Sequence, residues 1–248
     1  MGNSDRKTGS TKSEFSDIVI IDETEACPYL EGETARMPLC MPLTKITPSQ
    51  TDLRLERGYR RTGEFLYQTN CPNCNACESI RIDVEAHTFS RNARRVLKRG
   101  NRKFKQSVGE LQADVERVQL FNKHRRARGL AKRDTDIDME EYIWGFVRSC
   151  LDSFEISYRF NNKLIAVAIC DLGKNSLSAV YTYYDPDIPK DSIGTYSVLK
   201  QLEFCATRRI EHLYLGYYVE GSPHMVYKSR FLPHERLIDG EWVRFESA

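Results

Sequence analysis

Four cysteines could form a thiolate site: Cys71, Cys74 and Cys77 stand at two-residue intervals, with Cys27 upstream. That donor set suits zinc or an iron–sulfur cluster. It equally suits reduced thiols packed as small hydrophobes. A second group is cationic. Arg36, Arg60 and Arg61 could each clamp a carboxylate in two-pronged fashion or form a structural ion pair. A third group lies late in the chain. Asp185, in Asp185-Pro186-Asp187, could position or deprotonate an amine, or simply make a turn, with Tyr184, Tyr217 and Tyr218 expected nearby. Ser192, Gly194 and Thr195 sit where a helix begins, and free N–H groups there can face an anion or a polarised carbonyl. A plain helix cap is the competing reading. Lys228 could bind a phosphate or an acidic side chain.

The last group is a charge run. Arg91–Lys105 holds eight basic residues and no acid, Arg94, Arg95, Lys98 and Arg99 among them. Clustered cations of this kind gain affinity for a polyanion through counterion release. A second run, Lys123–Arg128, widens the same surface. Although the formal net charge is only +2, Arg54–Arg133 carries a surplus of twelve positive charges. A nearly neutral molecule can still present a basic patch to nucleic acid.

The elements that must carry these groups follow from periodicity. Phe65–Tyr67 and Ile80–Val84 read as strands flanking the cysteine cluster. Ser90 can cap a short basic helix, with Gly100 just past its end. Leu111, Val115, Val118, Leu120 and Phe121 recur at helical spacing as far as Gly129. A further amphipathic helix is expected over Met139–Leu151. Strands are expected over Phe154–Phe160, Leu164–Asp171 and Leu177–Tyr184, the first two joined by an Asn161-Asn162-Lys163 turn and the last two by Gly173-Lys174-Asn175. A loop over Asp185–Gly194, a helix over Thr195–Arg208 and a strand over His212–Tyr218 complete the series.

This order predicts an α+β fold with a mainly antiparallel sheet. It matches the Gcn5-related acyltransferase layout, in which a strand, a loop and a helix start hold the acyl donor. The division expected is a disordered lead-in over residues 1–16, a smaller cysteine-containing domain over 17–105 and a catalytic domain over 106–248. The apolar runs are strand-length, far short of a membrane span. The polar first residues lack the apolar core of a secretory signal, so a cytoplasmic protein with reduced thiols is expected. Cys150, Cys170 and Cys205 fall on apolar faces and read as core.

Several blocks carry a more specific resemblance. They are Cys27-Pro-Tyr-Leu-Glu-Gly-Glu-Thr-Ala-Arg36, Gly58-Tyr-Arg-Arg-Thr-Gly-Glu-Phe-Leu-Tyr67 and the Cys71–Cys77 cluster running into Ile80-Arg81-Ile82. Later come Tyr183-Tyr-Asp-Pro-Asp187, Ser192-Ile-Gly-Thr-Tyr196, Tyr214-Leu-Gly-Tyr-Tyr218 and Met225-Val-Tyr-Lys228 with Phe231-Leu-Pro233. Together they resemble the aminoacyl-tRNA–protein transferase family, which spans arginyltransferases and the bacterial aspartate/glutamate leucyltransferases. Two positions depart from its pattern. His224 stands where the family usually has Lys, and Leu30 where the eukaryotic branch has a second Cys.

The resemblance implies transfer of leucine or arginine from aminoacyl-tRNA to proteins beginning with Asp or Glu, marking them for N-degron degradation. It implies Asp185, Tyr218 and Lys228 as catalytic candidates. Arg36, Arg60, Arg61, Ser192, Gly194 and Thr195 become substrate-binding candidates, and Arg94, Arg95, Lys98 and Arg99 tRNA contacts. Aminolysis of an ester needs an aligned neutral amine and a stabilised oxyanion, with neither ATP nor a covalent nucleophile. Two other readings compete. An acetyl-CoA-dependent N-acetyltransferase would want a glycine-rich turn that Asp191-Ser-Ile-Gly-Thr195 lacks. A metal-stabilised RNA-binding module would leave the second half without a role.

Overall fold

The run Lys163-Leu-Ile-Ala-Val-Ala-Ile-Cys-Asp-Leu172 is buried from Leu164 to Asp171, which requires cover on both faces of its strand. The computed structural model describes residues 15–129, 135–188 and 192–246. The expected lead-in thus lies almost wholly outside the described residues, as do positions 189–191 of the expected donor loop. The first half supplies β1 (Asp17–Ile21), β2 (Thr24–Ala26), β3 (Thr34–Arg36), β4 (Leu39–Pro42), α1 (Pro48–Glu56), β5 (Arg60–Thr62), β6 (Phe65–Tyr67), β7 (Cys77–Asp83) and α2 (Arg91–Lys103). Then follow β8 (Lys105–Gly109), α3 (Val115–Ala127), α4 (Met139–Tyr142), β9 (Ser153–Phe160), β10 (Lys163–Leu172) and β11 (Ser176–Tyr184). α5 (Ile193–Arg208), β12 (His212–Val219), β13 (His234–Ile238) and β14 (Glu241–Phe245) close the described chain.

An eight-stranded sheet in the order β14-β13-β7-β12-β11-β10-β9-β8 forms the centre, and a four-stranded sheet β1-β4-β6-β5 lies beside it. The large sheet is antiparallel except at β11–β12, which α5 joins as a parallel crossover. This is the α+β layout with a mainly antiparallel sheet expected from the element order. The large sheet crosses the boundary expected at residue 105: β7, from the cysteine-containing segment, sits between β12 and β13.

Alternation along β10 sorts the core into two layers. Ala166, Ala168 and Cys170 face α2 and α5, with Val96, Leu97, Tyr196, Leu199 and Leu202 packed on them. Val167 and Ile169 face α3 and α4, beneath Leu120, Phe121 and Tyr142. Asn161 and Asn162 both take positive φ in the β9–β10 turn, the conformation a two-residue hairpin favours.

Two expectations change. Gly100 does not end the basic helix; it lies within α2, and a Cβ there would stand 2.2 Å from the Tyr196 ring. Glycine is required by the close approach of α2 to α5, which Tyr196 Oη reinforces by donating to Asn101 Oδ1 at 2.8 Å. The expected Met139–Leu151 helix is shorter. One α-turn runs into a wider π-turn over Ile143–Val147, after which Arg148 is extended. The wider turn presents the Gly145 carbonyl to the Gly63 N–H at 3.3 Å, tying it to the β5–β6 connection.

Candidate functional site

β11 and β12 pair only over Ser176–Ser178 with His212–Tyr214, then separate towards their C-terminal ends. Backbone groups that lose a ladder partner when buried need another. Arg60 and Lys228 supply them. The Arg60 guanidinium donates to Ser178 Oγ and to the Ala179 carbonyl, both at 3.2 Å. Lys228 Nζ donates to the Tyr217 carbonyl at 2.6 Å and lies 3.1 Å from Met225 Sδ. Gly216, at φ 85°, leaves space between the two heads: a Cβ there would stand 3.1 Å from Arg60 Nη2 and 3.6 Å from Lys228 Nζ.

Both cations are buried, and neither has a carboxylate partner among the described residues. Burial, reinforced by the neighbouring guanidinium, brings the Lys228 ammonium down to about 7, while the Cys77 thiol opposes that shift. Buried charges ordinarily come paired because desolvation costs several kcal/mol. Tyr217 walls the cluster, its hydroxyl donating to the Gly58 carbonyl at 3.2 Å and its ring meeting Tyr67 at 6.4 Å between centroids. Burial raises the Tyr29, Tyr67 and Tyr217 phenols, so all three remain neutral donors at physiological pH.

The three arginines singled out for a carboxylate separate cleanly. Only Arg60 reaches the gap. Arg61, its neighbour on β5, points to the other face and pairs with buried Asp171 at 2.9 Å while donating to the Gly63 and Arg148 carbonyls. Arg36 lies near the surface on Asp22. Tyr218 lies on the α5 side of the sheet beneath the Arg236 guanidinium, 4.6 Å from its ring centroid, so the tyrosine facing the cations is Tyr217.

Asp185 requires a larger correction. Lys123 Nζ reaches one oxygen at 2.5 Å and Lys163 Nζ the other at 2.8 Å, and the Asp187 N–H adds a third bond. Burial pushes its carboxyl up, but those bonds outweigh it and hold the group at about 2. Such a carboxylate is a weak base. It fixes the end of β11 to α3 and β10, and so fixes where the loop to α5 begins.

At α5, Ser192 takes a left-handed conformation and its side chain makes no cap bond. Gly194 lies against Tyr184, which would be 3.4 Å from an added Cβ. His124 holds the Tyr184 backbone from the α3 side at 3.0 Å, and burial lowers its imidazole to about 4. The start of α5, which Ser192 does not cap with its side chain, therefore lies beside the β11 end.

The basic helix α2 buries Val96, Leu97 and Gly100 and exposes Arg94, Arg95, Lys98 and Arg99. Through Gly100 and Asn101 it rests on the first turn of α5. Burial first, and then the thiols of Cys27, Cys71 and Cys74, push Cys77 up to about 12. Even so, among the described residues no three metal-ligating side chains close around one point, and no step here runs through a metal. Sequence reasoning passed over Tyr29, Tyr67, Ser178 and Gly216. Tyr29, Tyr67 and Gly216 lie inside the quoted blocks, the one signal that marked them.

A parallel pair that parts beside an uncapped helix start, with cations in the gap, defines the chain as an acyl-group transferase. The N-terminal model of the arginine-tRNA-protein transferase family matches residues 25–95 and its C-terminal model residues 116–238. An aspartate/glutamate leucyltransferase of Acinetobacter baumannii is 34% identical over 244 residues, 96% of this chain and 88% of the relative. Its counterpart from Thiobacillus denitrificans is 35% identical over 224 residues, 89% and 92% of the two chains. The chain belongs to the arginine-tRNA-protein transferase family. Among solved structures, FemX overlaps with a TM-score of 0.45 at 5% identity, over 81% of this chain and 80% of that one.

Proposed function

We propose that the chain transfers leucine from leucyl-tRNA to the α-amine of proteins beginning with Asp or Glu, marking them for N-degron degradation. The observation that carries this is the buried Arg60–Lys228 pair without a carboxylate of its own. The acidic side chain of the acceptor would supply the missing charge, matched to the guanidinium by bidentate hydrogen bonds. Leucine as donor rests on the curated relatives, each named a leucyltransferase.

In the reaction, the acceptor nitrogen attacks the ester carbonyl carbon, forming the new amide C–N bond. The C–O bond to the terminal ribose breaks, and the proton lost from nitrogen ends on the released ribose oxygen. An α-amine titrates near ~8, so roughly a tenth is already neutral at pH 7. Alignment and oxyanion stabilisation therefore supply most of the rate. The N–H groups of Gly194 and Thr195 face the developing oxyanion, and the exposed face of α2 takes acceptor-stem phosphates. Among the described residues no helix is long and apolar enough to cross a membrane. A tRNA donor puts the work in the cytoplasm. The test is direct: purified protein is given Leu-tRNA or Arg-tRNA and peptides beginning with Asp, Glu or Ala. Leucine transfer to Asp and Glu but not Ala supports the reading, and equal transfer to Ala removes it.

A further inference from the structure

A second opening lies on the far side of β7. On its β12 edge, β7 pairs as far as Cys77, but on its β13 edge only as far as Ile80, opposite Arg236. β13 itself continues to Ile238. Between the two strand ends is a cleft of about 310 Å³. Cys77, Glu78 and Ser79 form one wall and Leu237–Gly240 the other, with Gln68 and Thr69 lining it as well. Gly58 lies between the walls: an added Cβ would stand 3.1 Å from Leu237 Cδ2 and 3.2 Å from Ser79 Oγ.

Tyr217 joins this cleft to the cation pair. Its hydroxyl donates to the Gly58 carbonyl in the cleft wall, while its backbone carbonyl accepts from Lys228. Two strands, β12 and β7, separate the two openings. Strands lie ~4.8 Å apart and an extended peptide advances ~3.3 Å per residue, so an acceptor whose first side chain meets Arg60 and Lys228 reaches the far edge of β7 about three residues on.

We propose that the cleft is a second acceptor subsite, in which the residues after the N-terminal Asp or Glu lie extended along the Cys77–Ser79 edge of β7. This rests on the acceptor reading given above. The main chain of the acceptor supplies the pairing that β13 leaves off, the mode by which extended peptides add to sheet edges. Affinity there comes from backbone groups, so the subsite reads the extension and freedom of the acceptor N-terminus and not a particular second residue. A folded protein whose first residues are held down is therefore a poor acceptor even when it begins with Asp.

The test compares an Asp-initiated hexapeptide with an Asp-Gly dipeptide amide, using the full chain and Leu-tRNA. The hexapeptide is expected to have the higher kcat/KM by about tenfold, the worth of one or two main-chain hydrogen bonds. Thr69→Trp, which fills the cleft, should bring the hexapeptide down to the dipeptide level and leave the dipeptide unchanged. A hexapeptide N-methylated at the amides of its fourth and fifth residues should lose the same advantage on the unaltered enzyme, whatever the variant does to folding. Equal use of both lengths by the unaltered enzyme, or full use of the N-methylated hexapeptide, overturns the subsite while leaving acidic-end transfer standing. Failure to modify any Asp peptide at all would instead bring down the reaction proposed above.

Discussion

Two places in the molecule bring a pair of cationic side chains together. At the end of β11, Lys123 and Lys163 hold the two oxygens of Asp185. In the gap between β11 and β12, Arg60 and Lys228 converge on Gly216 with only neutral acceptors between them. The first group is complete and its work is to hold the fold. The second has no carboxylate of its own among the described residues, which in the reading proposed above makes it the place an acidic acceptor fills. Of the alternatives their sequence left open, Asp185 takes the structural one and Lys228 is free of a carboxylate among the described residues.

The sharpest way to break the contrast is to remove Arg60. Arg60→Gln should lower kcat/KM for Asp-initiated peptides by roughly 10²–10³-fold, since losing one partner of a buried charge pair costs several kcal/mol. Arg60→Lys should not restore it, because the forked geometry is lost. Steady-state kinetics that show either variant near full activity would place acceptor recognition elsewhere.

Asp185→Asn should behave as a stability variant. It leaves two part-exposed lysines that can turn to water and should cost about 1–2 kcal/mol in chemical denaturation, while each folded molecule keeps most of its transfer rate. A normal denaturation midpoint with a collapsed rate would return Asp185 to the chemistry. The sign of the pH effect follows from the same group. Its carboxyl is depressed to about 2 when folded, below the ordinary aspartate value of 3.8. Its contribution of about 2 kcal/mol is therefore present above pH ~4 and lost as pH falls through about 2.

Lys228 titrates the other way. Its ammonium is brought down to about 7, so the free site is doubly charged below that pH and loses one charge above it. The KM for an acidic peptide should rise above pH 7, by up to about tenfold per unit. Lys228→Arg should flatten that rise wherever it retains activity. The smallest effect concerns the exposed cations of α2. Arg94→Ala combined with Arg95→Ala should raise the KM for charged tRNA several-fold and reduce its salt slope by about one unit per lost phosphate contact. The KM for peptide should not move; a peptide defect with an intact salt slope would assign α2 to the acceptor.

Much of the second half was legible because its signals are local. Period-two alternation, the Asn161-Asn162 turn and the apolar face of α5 each act over a few residues. The candidate gap was not legible, because it depends on where strands part. Arg60 and Arg61 are adjacent on β5 and therefore point to opposite faces; which face meets the gap is decided by strands more than a hundred residues away. The same ambiguity separates Tyr217 from Tyr218, on a strand whose register also slips between Tyr214 and Tyr217. Asp185 looked available because the lysines that occupy it come from α3 and β10. Gly100 carried the ordinary mark of a helix end, while its actual reason is a tyrosine ninety-six positions later.

That contact also bears on how such enzymes can be rebuilt. Gly100 falls between the two segments that the family models match separately, 25–95 and 116–238. They look like cassettes, and a protein engineer would be tempted to graft the front of one relative onto the back of another. Yet α2 meets α5 with no tolerance for even one methyl group. A hybrid that brings a larger residue to position 100, or a differently placed ring to position 196, would still carry both its reactants' binding surfaces, but out of alignment with each other. Donor choice and acceptor choice in this family should therefore be recombined as a matched seam, with the glycine and its tyrosine inherited together.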